Sequence, residues 1–361
     1  MASTTSAAFD IRPQVDTMLA RALERRASDI HIDPVPDRFD IRFRIDGLLQ
    51  SIEHVPLATG QAIVNRLMVM ARLLTYRRDI PQEGRIRFDH PAPMDLRLSV
   101  IPTLHGLRAV IRMPADFIAP QRLEELNLSS ASHEFLQQFC RADSGMLVII
   151  GPAGSGKTTT IYAMLQHLSE ARPGESIVSL EDPIERAIRG VTQIEVSPFG
   201  ELNYETALKS ILRQDPQILA IGEIRDGATA SLAIQAALTG HRLLCTLHAG
   251  SPTGALRRLL EMGAERYQLT SSIFGFLNQR LVRRKTASGY CGRVPVSNFL
   301  RFDAEHAREI LDAPKNVPGS GTTAAREADI GGDLWAAGEA LLAAGTTDEA
   351  ELRRVLGQQE T

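Results

Sequence analysis

Residues 146–159 read Met-Leu-Val-Ile-Ile-Gly-Pro-Ala-Gly-Ser-Gly-Lys-Thr-Thr, an apolar run that continues directly into a glycine-rich loop. Gly151, Gly156, Lys157 and Thr158 complete the pattern G-x-x-x-x-G-K-[ST] of a phosphate-binding loop. Glycines allow backbone N–H groups to turn toward phosphate oxygens, because no Cβ stands in the way. The helix predicted to start at Lys157 directs the positive end of its dipole at the same anion. The stretch therefore predicts a strand, a loop and a helix that bind a nucleoside triphosphate.

Two side chains of this loop have chemical roles. The Lys157 ammonium can reach the β- and γ-phosphates, and the Thr158 hydroxyl can ligate Mg²⁺. A plain glycine turn between a core strand and a core helix is the alternative, and the presence of both side chains argues against it. We expect the following residues to contact the nucleotide: Gly151, Pro152, Ala153, Gly154, Ser155, Gly156, Lys157, Thr158 and Thr159.

Length and composition limit the classes of protein that fit. With 361 residues the chain is long enough for two or three domains and a large core. Its 40 basic and 43 acidic residues nearly balance, so bulk charge favours neither a nucleic acid nor an anionic membrane surface as partner. Cys140, Cys245 and Cys291 form no C-x-x-C pair, which excludes a disulfide framework and an obvious zinc site. This cysteine usage suits a reducing cytoplasm.

Targeting signals are not evident in the sequence. Residues 1–8 lack the basic start and the apolar core of a signal peptide. Apolar runs are far shorter than a membrane span, and residues 146–150 are only a short strand. We therefore expect a cytoplasmic protein that reaches a membrane only through partners.

The chain is predicted to contain two domains of unequal size. Residues 1–113 mix helical spacing with alternating strands, as in a small α+β domain, and Asp46-Gly47 marks a hairpin. Residues 114–128 contain two prolines and then a charged stretch, and are predicted to be a linker. Residues 129–361 alternate strands and helices, which is typical of α/β proteins. Two late helices are predicted, over residues 305–311 and 334–342.

Four apolar runs in the second domain each end in a polar residue or loop. The runs are residues 146–150, 176–180, 218–221 and 243–247, followed respectively by the phosphate-binding loop, Glu181, Gly222-Glu223 and His248. In an open parallel sheet the ligand binds beyond the carboxyl ends of the strands. We therefore expect the four ends to lie together around the γ-phosphate.

Carboxylates at these ends are candidates for catalysis. Glu223 is placed to hold the Mg²⁺ shell or to orient water, although the usual pattern has an aspartate at the last strand position and Gly222 intervenes here. A solvent-facing glutamate is the alternative. Glu185 or Glu181 can polarise the attacking water. Asp182 is equally well placed, or it simply starts the following turn.

Two histidines flank the fourth apolar run. His241 precedes the run and His248 follows it. A histidine in such a place is commonly a structural residue, and for each of them this alternative stays open. Their presence on both sides of Thr246 favours a role in sensing the γ-phosphate.

Together these motifs resemble those of the secretion ATPases, the assembly motors of type II secretion systems and type IV pili. Residues 151–158 resemble the phosphate loop of that family, residues 180–185 its Asp box, residues 211–226 its Walker B segment and residues 239–248 its His box. Residues 27–33, 81–85 and 95–99 resemble its N-terminal domain. The resemblance covers nearly the whole chain, and the order and spacing of the motifs make it specific.

The resemblance implies a fold and an assembly. It implies an α/β, RecA-like phosphate-loop domain with a mainly parallel sheet, preceded by a smaller PAS-like α+β domain that senses the nucleotide. It also implies a homo-hexameric ring that binds ATP and Mg²⁺ at the interface. Such a ring acts on an inner-membrane platform protein to assemble a pilin-like filament.

The resemblance further implies roles for individual residues. Glu185 matches the catalytic glutamate and Glu223 the Walker B carboxylate. In the family, arginines of the N-terminal domain reach the γ-phosphate and can stabilise transition-state charge, and Arg97 and Arg112 lie at matching positions, with Arg85 a weaker candidate. Without the resemblance, Arg97 would be interpreted as a solvated strand residue. The expected catalytic set is Lys157, Glu185, Glu223, His248, Arg97 and Arg112; Thr158 and Glu223 are expected to hold Mg²⁺, and His241 to contact the nucleotide.

The sequence departs from the family pattern in two ways. Assembly ATPases of this type usually carry a tetracysteine zinc module after a segment like residues 277–283. Here residues 284–288 lead directly into residues 289–300, which resemble the segment after the fourth cysteine, so we predict no zinc. The N-terminal extension that docks many type II motors to a membrane anchor is also not found, since Val15 already begins the sensing domain. The docking partner is therefore left open.

Three alternatives to an assembly motor are considered. A pilus retraction motor fits the compact chain, but the C-terminal signature of that branch is not found. A nucleotide-binding regulatory subunit with little turnover is disfavoured by the intact Lys157, Thr158, Glu185 and Glu223. A ring translocase on DNA is disfavoured by the near-neutral charge and by the single Trp and five Tyr, because single-stranded nucleic acid is bound by basic grooves and stacking aromatics.

Overall fold

The computed structural model describes residues 10–89, 93–114, 120–197, 200–302 and 333–357. The chain divides into two units, residues 1–119 and residues 120–361. Each unit is built on one β-sheet and has its own hydrophobic core.

The first unit is a six-stranded antiparallel sheet with two helices. The strand order is β3-β2-β1-β6-β5-β4. Its elements are α1 (Arg12–Glu24), β1 (Ala27–Pro34), β2 (Arg38–Ile45), β3 (Leu48–Pro56), α2 (Leu57–Met70), β4 (Gln82–Asp89), β5 (Pro93–Thr103) and β6 (Gly106–Arg112). The predicted hairpin is confirmed: Asp46 and Gly47 join β2 to β3 with positive φ at both positions, as tight hairpins of matching twist require.

Alternation along the strands gives this sheet an apolar and a polar face. In β2, Phe39, Ile41 and Phe43 are buried and belong to one core cluster with the buried sides of α1 and α2. Helix α2 approaches the sheet closely at Gly60, where a Cβ would lie 2.2 Å from the Phe39 ring. The opposite face carries charged strand residues, so the predicted α+β character of this part of the chain is confirmed.

The second unit contains a seven-stranded sheet in the order β13-β12-β7-β11-β10-β8-β9. Strands from β12 to β9 pair in parallel, whereas β12 and β13 form an antiparallel hairpin. The elements are a 3-10 helix (Leu123–Leu126), α3 (Ser130–Arg141), β7 (Gly145–Ile150), α4 (Lys157–Ala171), β8 (Ile177–Glu181), β9 (Thr192–Glu195), α5 (Tyr204–Ile211), β10 (Ile218–Ile221), α6 (Gly227–Leu238), β11 (Arg242–Leu247), α7 (Pro252–Glu261), α8 (Arg266–Ser272), β12 (Ile273–Thr286), β13 (Gly289–Arg301), α9 (Leu334–Ala343) and α10 (Glu349–Leu356).

Helices cover both faces of the central strands, which explains why β7, β10 and β11 are nearly continuous apolar runs. In β7, Met146, Val148 and Ile150 belong to the core cluster of α5 to α8, and Leu147 and Ile149 belong to that of α3 and α4. The predicted fold class, an α/β unit with a mainly parallel sheet after a smaller α+β unit, is confirmed.

Helices α9 and α10 pack on the β12–β13 hairpin. Their shared cluster consists of Val282, Val294, Val296 and Leu352, with Leu334, Trp335, Ala337, Leu341, Val355 and Leu356 at its margin. A fully buried carboxylate, that of Glu351, joins α10 to the hairpin through Arg283 at 2.7 Å and also contacts Arg354 at 2.6 Å.

Other expectations about elements and boundaries have mixed outcomes. The helix predicted over residues 334–342 is confirmed as α9, whereas the one predicted over residues 305–311 lies outside the described residues. Within the segment predicted as a linker, Leu123 and Leu126 are buried in the core of the second unit. Across the described ranges, helices are too short or too polar to cross a membrane.

Glu351→Gln is expected to destabilise the second unit by about 3 kcal/mol, because Arg283 and Arg354 would lose a buried carboxylate partner. Denaturant unfolding followed by the fluorescence of Trp335, the single tryptophan of the chain, measures this loss at the cluster itself. Glu349→Gln is the matched control, since Glu349 pairs at the surface and such pairs contribute about 0–1 kcal/mol. Equal losses of stability in the two variants would contradict the stabilising role of the buried Glu351 carboxylate.

The stabilisation that Glu351 provides is expected to depend on pH. Burial by itself raises the pKa of Glu351, but hydrogen bonds from Arg354 and Arg283 outweigh it and lower the pKa from 4.5 to about 2. Because the folded-state pKa is lowered, the stabilisation is present above pH 4.5 and is lost as the pH falls toward 2. The difference in stability between wild type and Glu351→Gln should therefore shrink across this window.

Candidate functional site

The phosphate-binding loop connects the end of β7 to the start of α4. Gly151, Gly154 and Gly156 adopt φ angles of 152°, 75° and 90°, which residues with a Cβ rarely adopt. A Cβ on Gly151 would lie 2.5 Å from the backbone oxygen of Gln279, and one on Gly156 would lie 2.7 Å from the side-chain nitrogen of the same residue. The loop is therefore a cradle of backbone groups packed against β12.

Lys157 is buried at the first turn of α4, and its ammonium points back into the loop. Its Nζ donates to the backbone oxygens of Gly151 at 2.8 Å and Pro152 at 2.9 Å. Burial lowers the pKa of Lys157 to about 8, although the carboxylate of Glu223 opposes this effect. A buried cation that is held mainly by neutral carbonyls is suited to binding an anion, and this fits a phosphate group.

The four predicted strand ends meet at one cleft beyond the carboxyl edge of the sheet. The strands β7, β11, β10 and β8 lie side by side in parallel. Each end contributes to the cleft, whose lining includes Lys157, Thr158, Glu181, Asp182, Glu185, Gly222, Glu223, Thr246 and His248. The expectation that these ends lie together is confirmed.

Both oxygens of Glu223 have partners in this cleft. His248 Nε2 lies 3.0 Å from Glu223 Oε1, and Arg225 Nε donates to Glu223 Oε2 at 2.7 Å. Arg225 also donates to Asp182 Oδ2 at 3.1 Å. The guanidinium thus links two carboxylates that border the cleft.

Glu223 lies two residues beyond the last residue of β10, and hydrogen bonds fix the turn between them. After β10 ends at Ile221, the Gly222 N–H donates to the Leu180 backbone oxygen at 2.8 Å, and the Gly222 oxygen accepts from Thr246 Oγ1 at 2.6 Å. The turn is therefore hydrogen-bonded to β8 on one side and to β11 on the other. It carries Glu223 into the cleft.

The two histidines lie at opposite ends of β11. His248 follows the strand and lines the cleft, where burial and the charge of Lys157 lower its pKa. His241 precedes the strand, and its Nδ1 lies 2.9 Å from the backbone oxygen of Ala236. The structure therefore brings His248 to the loop but leaves His241 at the other edge of the sheet.

Glu181 and Glu185 have different surroundings. Glu181 is buried and accepts hydrogen bonds from Tyr162, from Ser179 at 2.6 Å and from Gln193 at 2.9 Å. Glu185 is exposed and lines the cleft, and among the described residues no hydrogen bond holds its carboxylate. A carboxylate free of donors is the better acceptor for a proton from water, so this arrangement favours Glu185 over Glu181 as the base.

The candidate arginines face one another across three neighbouring strands of the first unit. Arg97 on β5 lies opposite Arg85 on β4 and Arg112 on β6, and we call these three residues the arginine strip. Arg112 Nε donates to Asp29 at 3.2 Å, whereas Arg97 forms no ion pair with any described residue. Like charges placed directly opposite destabilise a sheet, so the strip is suited to an external anion.

Sequence reasoning did not single out Gln279, Tyr162 or Arg225. Gln279 is buried in β12; its Nε2 donates to the Ser155 backbone oxygen, and its Oε1 accepts from Thr160 Oγ1, each at 2.9 Å. The available signal was a polar Asn-Gln pair directly after the apolar residues 273–277. The hydrogen-bond partners of Gln279, Tyr162 and Arg225 lie far away in sequence or across a turn, so local sequence patterns do not indicate them.

The glycine cradle, the buried lysine and the carboxylates at the carboxyl edge of a parallel sheet define a phosphate-loop nucleotide-binding protein. The family model described as "Type II/IV secretion system protein" matches residues 5–352. The chain belongs to this family, which confirms the predicted membership.

Curated relatives carry related names. The chain is 35% identical over 368 residues to the type II secretion system protein HxcR of Pseudomonas aeruginosa, covering 94% of this chain and 76% of the relative. It is 42% identical over 274 residues to the type II secretion system protein E of Xanthomonas campestris, covering 75% of this chain and 47% of the relative. It is 40% identical over 272 residues to the type IV pilus assembly ATPase PilB of Myxococcus xanthus, covering 75% of this chain and 48% of the relative. The matched region thus spans about half the length of several of these relatives.

Solved structures share the fold. The ATPase DotB of Legionella pneumophila superposes with a TM-score of 0.74 at 21% identity, covering 95% of each chain. The pilus retraction motor PilT superposes with a TM-score of 0.60 at 23% identity, covering 82% of this chain and 85% of PilT. At this identity the likeness concerns the fold.

Gln279→Leu is expected to lower the affinity for ADP about ten-fold, because the Ser155 carbonyl and the Thr160 hydroxyl lose a buried partner, a loss of about 1–3 kcal/mol. Titration calorimetry with ADP measures the affinity. Gln235→Leu, on the exposed side of α6, is the control and should bind ADP as the wild type does. Unchanged affinity in Gln279→Leu would show that β12 does not support the loop.

Proposed function

We propose that this chain is an ATP-hydrolysing motor of a type II secretion or type IV pilus system. It works as a homo-hexameric ring in the cytoplasm and powers the assembly of a pilin-like filament through an inner-membrane platform protein. The observation that carries this proposal is the single cleft where the phosphate loop, Lys157, Glu185 and Glu223 meet. Family membership and the names of the curated relatives support it.

In this proposal the residues of the cleft have different roles in ATP hydrolysis. The loop N–H groups and Lys157 bind the β- and γ-phosphates and offset their charge. Glu185 accepts a proton from the attacking water, and His248 lies beside Glu223 to respond to the γ-phosphate.

The oxygen donors of the cleft fit Mg²⁺. The Thr158 hydroxyl is exposed at the loop and the Glu223 carboxylate borders the same cleft, which is the donor chemistry that this ion prefers. Thr158 and Glu223 would hold the ion, Glu223 partly through water. When bound, Mg²⁺ supplies Lewis acidity toward the phosphate oxygens. Zinc has no part in this proposal.

The arginine strip supports a composite site in the ring. We propose that Arg97 and Arg112, with Arg85 beside them, supply cations to the γ-phosphate and stabilise the charge of the transition state. If the contact between these arginines and the γ-phosphate changes during hydrolysis, hydrolysis would drive movement of the domains. His241 is left out of the proposed site because it lies at the other edge of the sheet.

Assembly is favoured over the alternatives. The curated relatives are named for type II secretion and for pilus assembly, whereas the likeness to the retraction motor is one of fold. A regulatory subunit would have no need for the complete set of Lys157, Thr158, Glu185 and Glu223. Near-neutral charge disfavours nucleic acid as a partner, and the membrane is reached only through other proteins.

The steady-state ATPase rate per protomer, measured against protein concentration, tests the proposal. We expect the rate to rise steeply with concentration in the wild type, as composite sites form. It should fall by roughly a hundred-fold or more in Lys157→Ala, which removes a cation from the phosphates, and in Glu223→Gln, which removes a carboxylate proposed to hold Mg²⁺. Lys209→Ala, at an exposed lysine on α5, is the control.

Either of two results would overturn the proposal. Near-wild-type turnover in Lys157→Ala would refute the site, because the phosphate cation would then be dispensable. A wild type that binds ATP and shows no turnover at any concentration would favour the regulatory alternative.

Arg97→Ala is expected to reduce turnover roughly ten-fold or more, because an arginine that reaches the γ-phosphate acts in the transition state. The affinity of the dilute protomer for ADP should stay unchanged. Arg38→Ala, on β2 and paired with Asp40, serves as the control. An unchanged rate per site would identify Arg97 as a surface residue.

A further inference from the structure

One turn after the phosphate loop, α4 carries a tyrosine whose hydroxyl reaches the segment that holds Glu185. The side chain of Tyr162 is buried, and its hydroxyl donates to the carboxylate of Glu181. The same oxygen accepts a hydrogen bond from the Glu185 backbone N–H at 2.9 Å. A single hydroxyl therefore links the first helix of the site, the end of β8 and the backbone of the proposed base.

The carboxylate that receives this hydroxyl is itself fixed by two further donors. Ser179 Oγ and Gln193 Nε2 donate to Glu181 Oε1 at 2.6 Å and 2.9 Å. Gln193 also holds the far side of the segment, because it donates to the Arg186 oxygen at 2.9 Å and accepts from the Ile188 N–H at 2.7 Å. Residues 185–188 are thus attached to α4 at one point and to β9 at another.

The hydroxyl has the protonation state that this role needs. Burial, the hydrogen bond to Glu181 and the charge of that carboxylate raise the pKa of Tyr162, so the proton stays on the tyrosine. The hydroxyl therefore donates to Glu181 and has lone pairs left for the Glu185 N–H.

The base depends on this anchor because its own carboxylate has none. Within the described chain the Glu185 carboxylate makes no hydrogen bond, so the direction in which it points follows from its backbone. That backbone N–H donates to the Tyr162 hydroxyl at 2.9 Å. A displacement of the order of 1 Å at a reacting group can cost about a hundred-fold in rate.

We propose that Tyr162 is a positioning residue for hydrolysis, which fixes the backbone of Glu185 relative to the helix that begins at the phosphate loop. The inference rests on the proposed function, and in particular on Glu185 as the base. It adds that the helix bearing Lys157 and Thr158 and the segment bearing the base move as one body.

Tyr162→Phe tests this, because it removes the hydroxyl and keeps the ring in the core. We expect kcat of the full chain to fall about ten-fold, while KM for ATP and the affinity for ADP change less than about two-fold. Tyr290→Phe is the matched control: it removes a tyrosine–carboxylate hydrogen bond, to Asp348 at 2.7 Å, on the β13 side of the hairpin, and should leave kcat unchanged. Unfolding followed by Trp335 fluorescence checks that both variants fold.

A double-variant cycle separates positioning from general loosening. In single turnovers of labelled ATP, Tyr162→Phe should lower the rate in the wild-type background and cause no further loss in Glu185→Gln, since it acts through Glu185. Gln193→Leu, which releases the other attachment of the same segment, should show the same dependence on Glu185.

The possible failures can be told apart. An unchanged kcat in Tyr162→Phe, or an equal fold-loss in both backgrounds, would overturn the inference and leave the proposed function intact. Wild-type turnover in Glu185→Gln would refute Glu185 as the base, and the inference with it. The concentration dependence and the Lys157→Ala result would still stand as the test of the motor.

Discussion

The packing of the phosphate loop against β12 is the constraint on which the rest of the second unit depends. Gly151 and Gly156 lie so close to Gln279 that no Cβ fits at either position, and Gln279 holds the loop from a strand more than a hundred residues away. Because the loop starts at the end of β7 and stops at the start of α4, this contact sets where the helix begins. It also sets where Lys157 presents its charge.

The cleft is stabilised by electrostatic contacts that the parallel sheet makes possible. Parallel strands bring their carboxyl ends to one edge, so charged residues from several strands meet there. In the structure described here, Arg225 bridges Glu223 and Asp182, and His248 takes the other oxygen of Glu223. Lys157 lies against backbone carbonyls of its own loop. Binding of a triphosphate and Mg²⁺ would require these pairs to rearrange.

Among its described residues, the first unit has helices on only one face of its sheet. Its antiparallel sheet buries one face under two helices and leaves the other to charged side chains. Register alone places Arg85, Arg97 and Arg112 opposite one another, with Asp29 next in the row. Facing cations cost stability in a sheet, and an anion bound at the strip would offset this cost.

The local elements followed from the sequence to a large extent. The phosphate loop was evident because its glycines, lysine and threonine have fixed local spacing, and the hairpin at Asp46-Gly47 was evident because a two-residue turn is set by its own φ angles. The gathering of the four strand ends was predictable since parallel strands share a carboxyl edge. The choice between Glu181 and Glu185 was not predictable, because Glu181 ends β8 and Glu185 follows only four residues later.

What the sequence by itself determined is therefore the chemistry that depends on neighbours in the chain: the loop, the strand ends and the family. What only the tertiary structure decided depends on partners distant in sequence. It placed His241 at the far edge of the sheet and gave Glu181 three hydrogen-bond donors, while the Glu185 carboxylate has no donor among the described residues. It also supported the loop with Gln279. The physical reason is that hydrogen-bond partners and burial are set by packing between elements, and local residue patterns carry little information about that packing.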